Sequence, residues 1–268
     1  MITPPPAPRK RFGQHFLHDP GVLARLVAAI APKDNDYLVE IGPGLGALTL
    51  PILEAVGHLT AVELDRDLLP HLQERCAALG ELTIHQADAL AFDFRTLAVQ
   101  APIRLIGNLP YNIATPLLFH LIEQLIPPPT RVLDMHFMVQ REVADRLVAS
   151  HLHGNYGRLS VMIQYHCRVE RLFTVPAGAF RPPPKVESAV VRLRPHTIPP
   201  VVVSDYPQFV HLVRQAFSQR RKTLRNALRG LLPEASILAA DIDPGIRPEK
   251  LSILQFAQLS EQCKTLDP

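Results

Sequence analysis

The tetrapeptide Asn108-Leu109-Pro110-Tyr111 combines residue types that can hold a planar amine. It follows the apolar stretch Ile103 to Ile106, which predicts a buried strand. The 6-amino group of adenine has two N–H donors and almost no basicity, so its partner must offer two hydrogen-bond acceptors and no base. The Asn108 Oδ1 atom and the carbonyl before Pro110 are two such acceptors, and Tyr111 adds an aromatic face. The alternative is an ordinary exit from a strand, where Asn, Pro and Tyr are all common.

A glycine-rich turn lies earlier in the chain. The residues Glu40-Ile41-Gly42-Pro43-Gly44-Leu45-Gly46 end one predicted strand and open a predicted helix. Glycines let the backbone approach a ligand closely, and a helix start offers free N–H groups. The spacing Gly-x-Gly-x-Gly differs from the Gly-x-Gly-x-x-Gly of dinucleotide folds, and the acidic Glu40 disfavours a phosphate. The pattern therefore favours a cofactor with an amino acid moiety.

Two acids follow the next two predicted strands. Glu63 ends the second strand, 21 residues after Gly42, where it can accept hydrogen bonds from both hydroxyls of a ribose. Asp88 follows the third strand and can accept from an adenine amine of the same ligand. Each acid alone is more often a solvated strand end. Their order after successive strands, together with the glycine turn, predicts a site for S-adenosylmethionine beside an adenine pocket.

Strand and helix patterns alternate through the first part of the chain. The predicted strands are Tyr37 to Ile41, Leu59 to Leu64, Leu82 to His85, Ile103 to Ile106 and Val132 to Val139. The predicted helices are Asp19 to Ile30 (with Asp19 as N-cap and Pro20 in the first turn), Leu45 to Ala55, Arg66 to Leu79, Pro116 to Leu125 and Arg141 to Ser150. This alternation predicts a parallel, doubly wound α/β sheet that is covered on both faces and binds ligands beyond the carboxyl ends of its strands.

The rest of the chain changes character after a proline-rich loop. Two further strand-like stretches, Leu159 to Cys167 and Ala189 to Leu193, enclose a loop in which Phe180 precedes three consecutive prolines. The prolines make this loop rigid and extended. Helices alone are predicted beyond it, at Gln208 to Phe217, Arg221 to Leu231 and Pro248 to Lys264. We therefore predict a domain of residues 1–195 and a second domain of residues 196–268.

The composition is that of a soluble globular protein. No apolar run approaches the roughly 20 residues of a membrane span, and the proline-rich N-terminus lacks the apolar core of a signal peptide. The three cysteines, Cys76, Cys167 and Cys263, are far apart and form no Cys-x-x-Cys pair. We expect a cytoplasmic protein with no membrane association, no disulfide framework and no metal site.

Positive charge is concentrated in one segment. Between Arg181 and Gly230 there are ten Lys or Arg residues against Glu187 and Asp205, a net charge of +8. The rest of the chain has 18 Lys or Arg against 23 Asp or Glu, a net charge of −5. This asymmetry predicts a surface that faces a polyanion, with nucleic acid as the leading partner. A solvated surface helix is the plainer alternative for such a run.

Taken together, the motifs resemble those of the ribosomal RNA adenine dimethyltransferases of the KsgA (RsmA) type, an rRNA adenine N(6)-methyltransferase family. The sequence is also similar to the antibiotic-resistance rRNA methylases and the mitochondrial transcription factor B proteins. The resemblance covers almost the whole chain. It is carried by residues 9–17, the glycine turn, residues 62–65, 87–89, 107–116, 156–160, 180–186 and 219–226.

The resemblance implies the fold and the roles of individual residues. It implies a Rossmann-like, S-adenosylmethionine-dependent methyltransferase sheet with a small C-terminal all-helical domain that binds RNA. Cofactor contacts are implied for His15, Leu17, Gly42, Gly44, Glu63, Asp88 and Asn108. Many relatives carry Asn in place of His15, so contact through the backbone carbonyl and contact through the side chain are both open there.

We interpret the catalytic residues as Asn108, Leu109, Pro110, Tyr111 and Phe180. Tyr111 and Phe180 are expected to stack on the two faces of an adenine taken out of its RNA stack. The alternative for Phe180 is a buried anchor of its loop. Phosphate contacts are expected at Arg220, Arg221, Lys222 and Arg225.

The implied reaction is dimethylation of two adjacent adenosines in the 3′-terminal hairpin loop of 16S rRNA, with the immature small ribosomal subunit as substrate and the protein acting as a monomer. Methylation of large-subunit rRNA is the close alternative. A nicotinamide-dependent oxidoreductase accounts for the strand, glycine and acid pattern but leaves the tetrapeptide unexplained. A ribosome-assembly factor without catalysis is the third alternative, against which the intact tetrapeptide argues.

Overall fold

The computed structural model describes residues 8–9, 13–99, 101–126, 130–219 and 221–264. The chain divides into two compact units, of which the first contains residues 1–144 and 169–195 and the second contains residues 145–168 and 196–268. One point of division lies at the predicted boundary. The segment 145–168 differs from the prediction, because it groups with the second unit and not with the first domain.

Nine strands are described. They are β1 (Phe16–Leu17), β2 (Leu38–Ile41), β3 (His58–Glu63), β4 (Glu81–Gln86), β5 (Ile103–Asn108), β6 (Val132–Gln140), β7 (Cys167–Val175), β8 (Phe180–Arg181) and β9 (Ser188–Pro195). A seven-stranded sheet has the order β4-β3-β2-β5-β6-β9-β7. The first five of these strands pair in parallel, and β9 runs antiparallel to β6.

The predicted parallel sheet is confirmed, and its five strands begin and end within two residues of the predicted positions. All four residues of β2 and the first five of β5 are buried. Strands at the centre of a parallel sheet are covered on both faces, which is why apolar residues do not alternate with exposed polar ones in these two strands. The one charged residue in each, Glu40 and Arg104, is buried with them.

Helices of the first unit follow the predicted alternation. They are α1 (Pro20–Ile30), α2 (Thr49–Val56), α3 (Leu69–Cys76), α4 (Ala114–Leu125) and α5 (Arg141–Val148), the last of which runs into the second unit. The predicted N-cap of α1 is confirmed, since the Asp19 side chain accepts a hydrogen bond from the Val22 backbone N–H at 2.9 Å. This cap satisfies one of the free donors at the helix start.

Close packing of two strands explains the glycine before Asn108. A Cβ atom built on Gly107 would lie 2.5 Å from the carbonyl oxygen of Ile41, which is backbone and cannot move aside. The neighbouring pair Glu40 and Ile106 fixes the register of β2 against β5. Gly107 therefore allows β5 to end with Asn108 beside the glycine turn that follows β2.

A second, two-stranded sheet joins distant parts of the first unit. Strands β1 and β8 pair antiparallel, with Leu17 opposite Phe180 and Phe16 opposite Arg181. The N-terminal segment is thereby fixed to the loop that contains the three prolines.

The second unit is helical. It contains α6 (Arg158–His166), α7 (Tyr206–Ala216), α8 (Leu224–Ala227), α9 (Glu234–Ala239) and α10 (Ile253–Lys264). The strand predicted at Leu159 to Cys167 is wrong, because this segment forms α6 and the strand β7 begins only at its end. The helix predicted at Arg221 to Leu231 is confined to the single turn of α8, and α9 was not predicted.

Burial explains why the sequence misled at α6. Its residues Leu159 to Ile163, including Ser160, are all buried, so the helical period of apolar residues is hidden in a continuous buried run. Tyr165 of α6 lies 5.0 Å from Phe209 of α7 between ring centroids, and Tyr156 lies 6.4 Å from Phe217. These aromatic contacts place the segment 145–168 in the second unit.

Among the described residues, no helix has the length and apolar character needed to cross a membrane.

We expect Gly107→Ala to lower the free energy of unfolding by about 1–3 kcal/mol, the usual cost of forcing extra volume into a packed core. Gly154→Ala is the matched control, since Gly154 is exposed and its added Cβ would meet no atom within 4 Å. Urea unfolding of both variants checks the prediction. Equal stability of Gly107→Ala and the wild type would show that β2 and β5 are not held at this separation.

Candidate functional site

A cavity of about 300 Å³ lies at the carboxyl ends of the parallel strands in the first unit. Parallel strands bring their carboxyl ends to one edge of the sheet, and this edge is where open α/β sheets bind ligands. The lining comes from residues 13–17, the glycine turn at 40–45, residues 62–64, 87–89 and 108–113. Ten of the eleven predicted catalytic and cofactor-binding residues line this cavity; they are His15, Leu17, Gly42, Gly44, Glu63, Asp88, Asn108, Leu109, Pro110 and Tyr111.

The glycine turn presents backbone to the cavity. Gly42 and Gly44 have φ of 68° and 59°, a left-handed conformation that side chains rarely adopt. A Cβ on Gly44 would lie 3.1 Å from the Phe16 ring, so the N-terminal segment packs directly against the turn. Gly42 leaves open space, with no atom within 4 Å of its built Cβ. A ligand can therefore approach the backbone at Gly42.

Glu63 is held by backbone donors at the end of β3. Its Oε2 atom accepts from the Gly44 N–H at 3.2 Å and its Oε1 atom accepts from the Asp65 N–H at 2.8 Å. The side chain is 7% exposed, and burial raises the pKa of the Glu63 carboxyl above its usual value, against the lowering effect of these hydrogen bonds. Each oxygen has two lone pairs, so Glu63 retains acceptor capacity toward the cavity.

Asp88 is the exposed acid of the site. Its Oδ1 atom accepts from the Leu90 backbone N–H at 2.9 Å, which fixes the loop after β4. The Oδ2 atom accepts no hydrogen bond from the described residues. Asp88 is thus an acceptor at the rim, in contrast to the buried Glu63.

Glu40 is a buried acid that contacts the cavity below the glycine turn. It is 2% exposed, and the Thr49 hydroxyl donates to its Oε2 atom at 2.6 Å. Burial raises the pKa of Glu40 to about 8. The carboxyl is therefore mostly protonated and neutral at neutral pH, which corrects the expectation that Glu40 disfavours phosphate by its charge. Thr49, nine positions along at the start of α2, was not identified from the sequence.

Asn108 has a defined amide orientation. Its Nδ2 atom donates to the His15 carbonyl at 2.9 Å, and a carbonyl oxygen can only accept, so the amide nitrogen faces the N-terminal segment. The Oδ1 atom of Asn108 and the carbonyl of Leu109 accept no hydrogen bond from the described residues. Asn108 and Leu109 both line the cavity, so these two acceptors are the candidates for holding an amine there.

Tyr111 is fixed at its hydroxyl and at its ring. The hydroxyl lies 2.5 Å from Ser188 Oγ at the start of β9, and burial raises the pKa of the phenol above its usual value. The imidazole of His15 stacks on the ring with a centroid separation of 5.3 Å and an angle of 27°. A base that stacks on Tyr111 therefore takes the other face or displaces His15. Ser188, 77 positions from Tyr111, carried no sequence signal for this contact.

Phe180 is not at the cavity. Its side chain is 1% exposed and belongs to the apolar cluster with Leu17, Met138 and Val190. Pairing of β8 with β1 directs Phe180 into this cluster beside Leu17, so no face of the ring is open to a base. The structure thus differs from the predicted stacking of Phe180 and agrees with the alternative of a buried loop anchor.

The N-terminal segment is tied to the loop after β3 by contacts that the sequence did not suggest. Gln14 Nε2 donates to Asp65 Oδ2 at 3.0 Å, and Arg9 forms an ion pair with Asp65 Oδ1 at 2.9 Å. Asp65 is 3% exposed, whereas the Arg9 side chain remains about one-third exposed. These bonds hold residues 13–17 where they form one wall of the cavity.

The predicted RNA-binding cations lie in the second unit. Arg221, Lys222 and Arg225 are exposed, whereas Arg220 lies outside the described residues. Arg225 is 3.6 Å from Glu234, and both side chains are about half exposed. Such a solvated pair contributes little stability and leaves the arginine available to a polyanion.

We expect Glu40→Gln to change how stability depends on pH. The pKa of Glu40 lies near 4.5 in the unfolded chain and near 8 in the folded protein. Between these values the folded state holds a proton that the unfolded state has lost, so wild-type stability relative to Glu40→Gln falls as pH rises through this window and levels off above it. Urea unfolding at a series of pH values measures the difference. Glu54→Gln, at an exposed position of α2, is the control, and parallel curves for Glu40→Gln and wild type would contradict the prediction.

Comparison with known proteins places the chain in a family. The ribosomal RNA adenine dimethylase family matches residues 7–265. The ribosomal RNA small subunit methyltransferase A of Nitrosococcus oceani is 57% identical over 253 residues, which cover 94% of each chain. That of Chromohalobacter salexigens is 52% identical over 275 residues, covering 100% of this chain and 96% of the relative.

Solved structures agree. A dimethyladenosine transferase from Plasmodium falciparum has a TM-score of 0.74 at 26% identity, covering 91% of this chain and 96% of that one. The 23S rRNA methyltransferase ErmE has a TM-score of 0.69 at 23% identity. The match covers 93% of this chain and 99% of that one, and ErmE shares the fold. The predicted Rossmann-like methyltransferase fold and the family resemblance are confirmed. This chain belongs to the ribosomal RNA adenine dimethylase family.

Proposed function

We propose that this protein transfers methyl groups from S-adenosylmethionine to the 6-amino groups of two adjacent adenosines in the 3′-terminal hairpin loop of 16S rRNA, acting as a monomer on the immature small subunit in the cytoplasm. One observation supports this most directly. The hydrogen bond from Asn108 Nδ2 to the His15 carbonyl turns the Asn108 Oδ1 atom away from the N-terminal segment, the Leu109 carbonyl is the next acceptor along the chain, and both residues line the cavity. A primary aromatic amine has the two donors that match them.

The cavity suits the proposed cofactor. Gly42 offers backbone with open space in front of it, Glu63 offers a buried acceptor at the end of β3, and Asp88 offers an acceptor at the rim. The neutral form of Glu40 avoids adding a buried negative charge beneath the glycine turn. When bound, S-adenosylmethionine supplies an electrophilic methyl group that needs no further activation.

The residues of the tetrapeptide then act by positioning the amine and the base that carries it. Two acceptors that bind both N–H groups favour a pyramidal amine nitrogen and direct its lone pair away from them. No side chain has to remove a proton beforehand, because the amine is neutral; the positive charge that the nitrogen gains with the methyl group is lost afterwards, when the nitrogen releases a proton to solvent. Tyr111, held at its hydroxyl by Ser188, supplies an aromatic surface for the base. Orienting a bound nucleophile in this way is a major source of rate enhancement in two-substrate reactions.

RNA recognition is assigned to exposed cations of the helical unit. Arg221, Lys222 and Arg225 carry charge that suits phosphate, which positions RNA without reading its sequence. We extend this role to Arg220 on the basis of its place in the same run. The choice of adenosine then depends on the cavity and on the RNA fold.

The small subunit is favoured over the large subunit by similarity. Relatives that are 51–57% identical over more than 90% of this chain are small subunit methyltransferases A, whereas the 23S rRNA methyltransferase ErmE is only 23% identical.

A labelling experiment tests the proposal. Cofactor with a labelled methyl group is offered separately to small and large subunits from cells that lack dimethyladenosine, and the RNA is then digested to nucleosides. We expect dimethyladenosine from small-subunit RNA alone, at two adjacent positions. Small subunits that are already methylated serve as the control and take up no label.

Two results would overturn the assignment. Label confined to large-subunit RNA would reverse the choice of substrate. Thermal stabilisation by a nicotinamide dinucleotide, with none by S-adenosylmethionine, would reverse the choice of cofactor and of reaction.

A further inference from the structure

The loop of residues 181–187 is attached at both ends to residues that line the cavity. At its start, Arg181 pairs with Phe16, and His15 Nδ1 lies 2.7 Å from the Pro182 carbonyl. Because a carbonyl only accepts, the imidazole donates through Nδ1. Phe16 and His15 both line the cavity, so the first residues of the loop are fastened to its wall.

The other end of the loop also contacts a residue that lines the cavity. Ser188 follows the loop and meets the Tyr111 hydroxyl at 2.5 Å. In the antiparallel register of β6 and β9, Ser188 also pairs with Gln140, the last residue of β6. This register places the loop at the carboxyl edge of the sheet, independently of the contacts with cavity residues.

Two cations of this loop have no acidic partner among the described residues. Arg181 and Lys185 are exposed, and neither has an ion pair or hydrogen bond to a side chain among the described residues. Glu187, the acid of the loop, forms an ion pair with Arg141. The Nη1 atom of Arg141 lies 2.6 Å from the Glu187 carboxylate. Three prolines between the two cations limit the flexibility of the loop. The loop therefore holds two positive charges at a restricted separation.

Acidic and basic side chains lie on opposite sides of Asn108 along the carboxyl edge of the sheet. In the strand order β4-β3-β2-β5-β6-β9, Asp88 follows β4 and Glu63 ends β3, whereas the loop with Arg181 and Lys185 precedes β9. Asn108 lies between them at the end of β5. A polyanionic strand that delivers a base to Asn108 is repelled on the acidic side and attracted on the side of β9.

We propose that Arg181 and Lys185 bind the phosphates that flank the adenosine in the cavity and so orient the single strand across the mouth. This inference rests on the proposed function. It assigns RNA binding to a contact surface in the first unit, in addition to the cations of the helical unit. The partner is the phosphodiester backbone of RNA, and the contact carries no base specificity.

Salt dependence of RNA binding tests the assignment. We propose to measure the affinity of full-length Arg181→Gln, Lys185→Gln and the double variant for a labelled RNA hairpin with two adjacent adenosines in its loop, over a range of salt concentrations. Each lost phosphate contact should flatten the slope of log affinity against log salt by about 1, and the double variant by about 2. Affinity should fall most at low salt, while affinity for S-adenosylmethionine and the thermal midpoint stay at wild-type values.

Lys33→Gln is the matched control. Lys33 is exposed and precedes β2, at the edge of the parallel sheet opposite the cavity. Lys33→Gln therefore removes one positive charge away from the cavity. Slopes for the loop variants equal to that of Lys33→Gln would overturn the inference. If those slopes are equal while the wild type methylates small subunits, the inference fails and the proposed function stands. A wild type that neither binds the hairpin nor methylates small subunits would overturn both.

Discussion

The hydrogen bond from Asn108 Nδ2 to the His15 carbonyl is the interaction on which the candidate site depends. It decides which end of the amide faces the cavity, because a carbonyl cannot accept the other end. A rotated amide would present donors to an amine that already has two. The bond requires the N-terminal segment to be in place, which the contacts of Gln14 and Arg9 with Asp65 provide, and it requires β5 to end beside the glycine turn, which Gly107 permits.

One reason explains why sequence alone predicted the sheet and why ten of the eleven predicted catalytic and cofactor-binding residues lie around one cavity. Glu63, Asp88 and Asn108 each sit at or just beyond the end of a strand, and parallel strands bring such residues to a common edge. The remainder depends on contacts between distant positions. The helix Arg158–His166 is buried around most of its surface, which hides its period, and Phe180 is drawn into the core by its partner Leu17. No spacing rule indicates that Ser188 would hold the Tyr111 hydroxyl.

Burial and position together redistribute charge around the cavity. Counting residues suggests an acidic site, with Glu40, Glu63, Asp65 and Asp88 close together. In the structure burial keeps Glu40 largely neutral, and Asp65 is engaged by Arg9 and Gln14. The cations Arg181 and Lys185 lie toward β9, on the other side of Asn108. In the proposed function this separation serves a cofactor on one side of Asn108 and the RNA backbone on the other.

The single-turnover rate of methyl transfer by Asn108→Ala tests the central claim most directly. With saturating cofactor and unmethylated small subunits, the account predicts a rate at least about 100-fold below wild type, which is typical for removal of one preorganised hydrogen-bonding group from an active site. Asn35→Ala, an exposed amide before β2, serves as the control at wild-type rate. A rate for Asn108→Ala within a few-fold of wild type would contradict the claim that the Asn108 amide oxygen holds the amine.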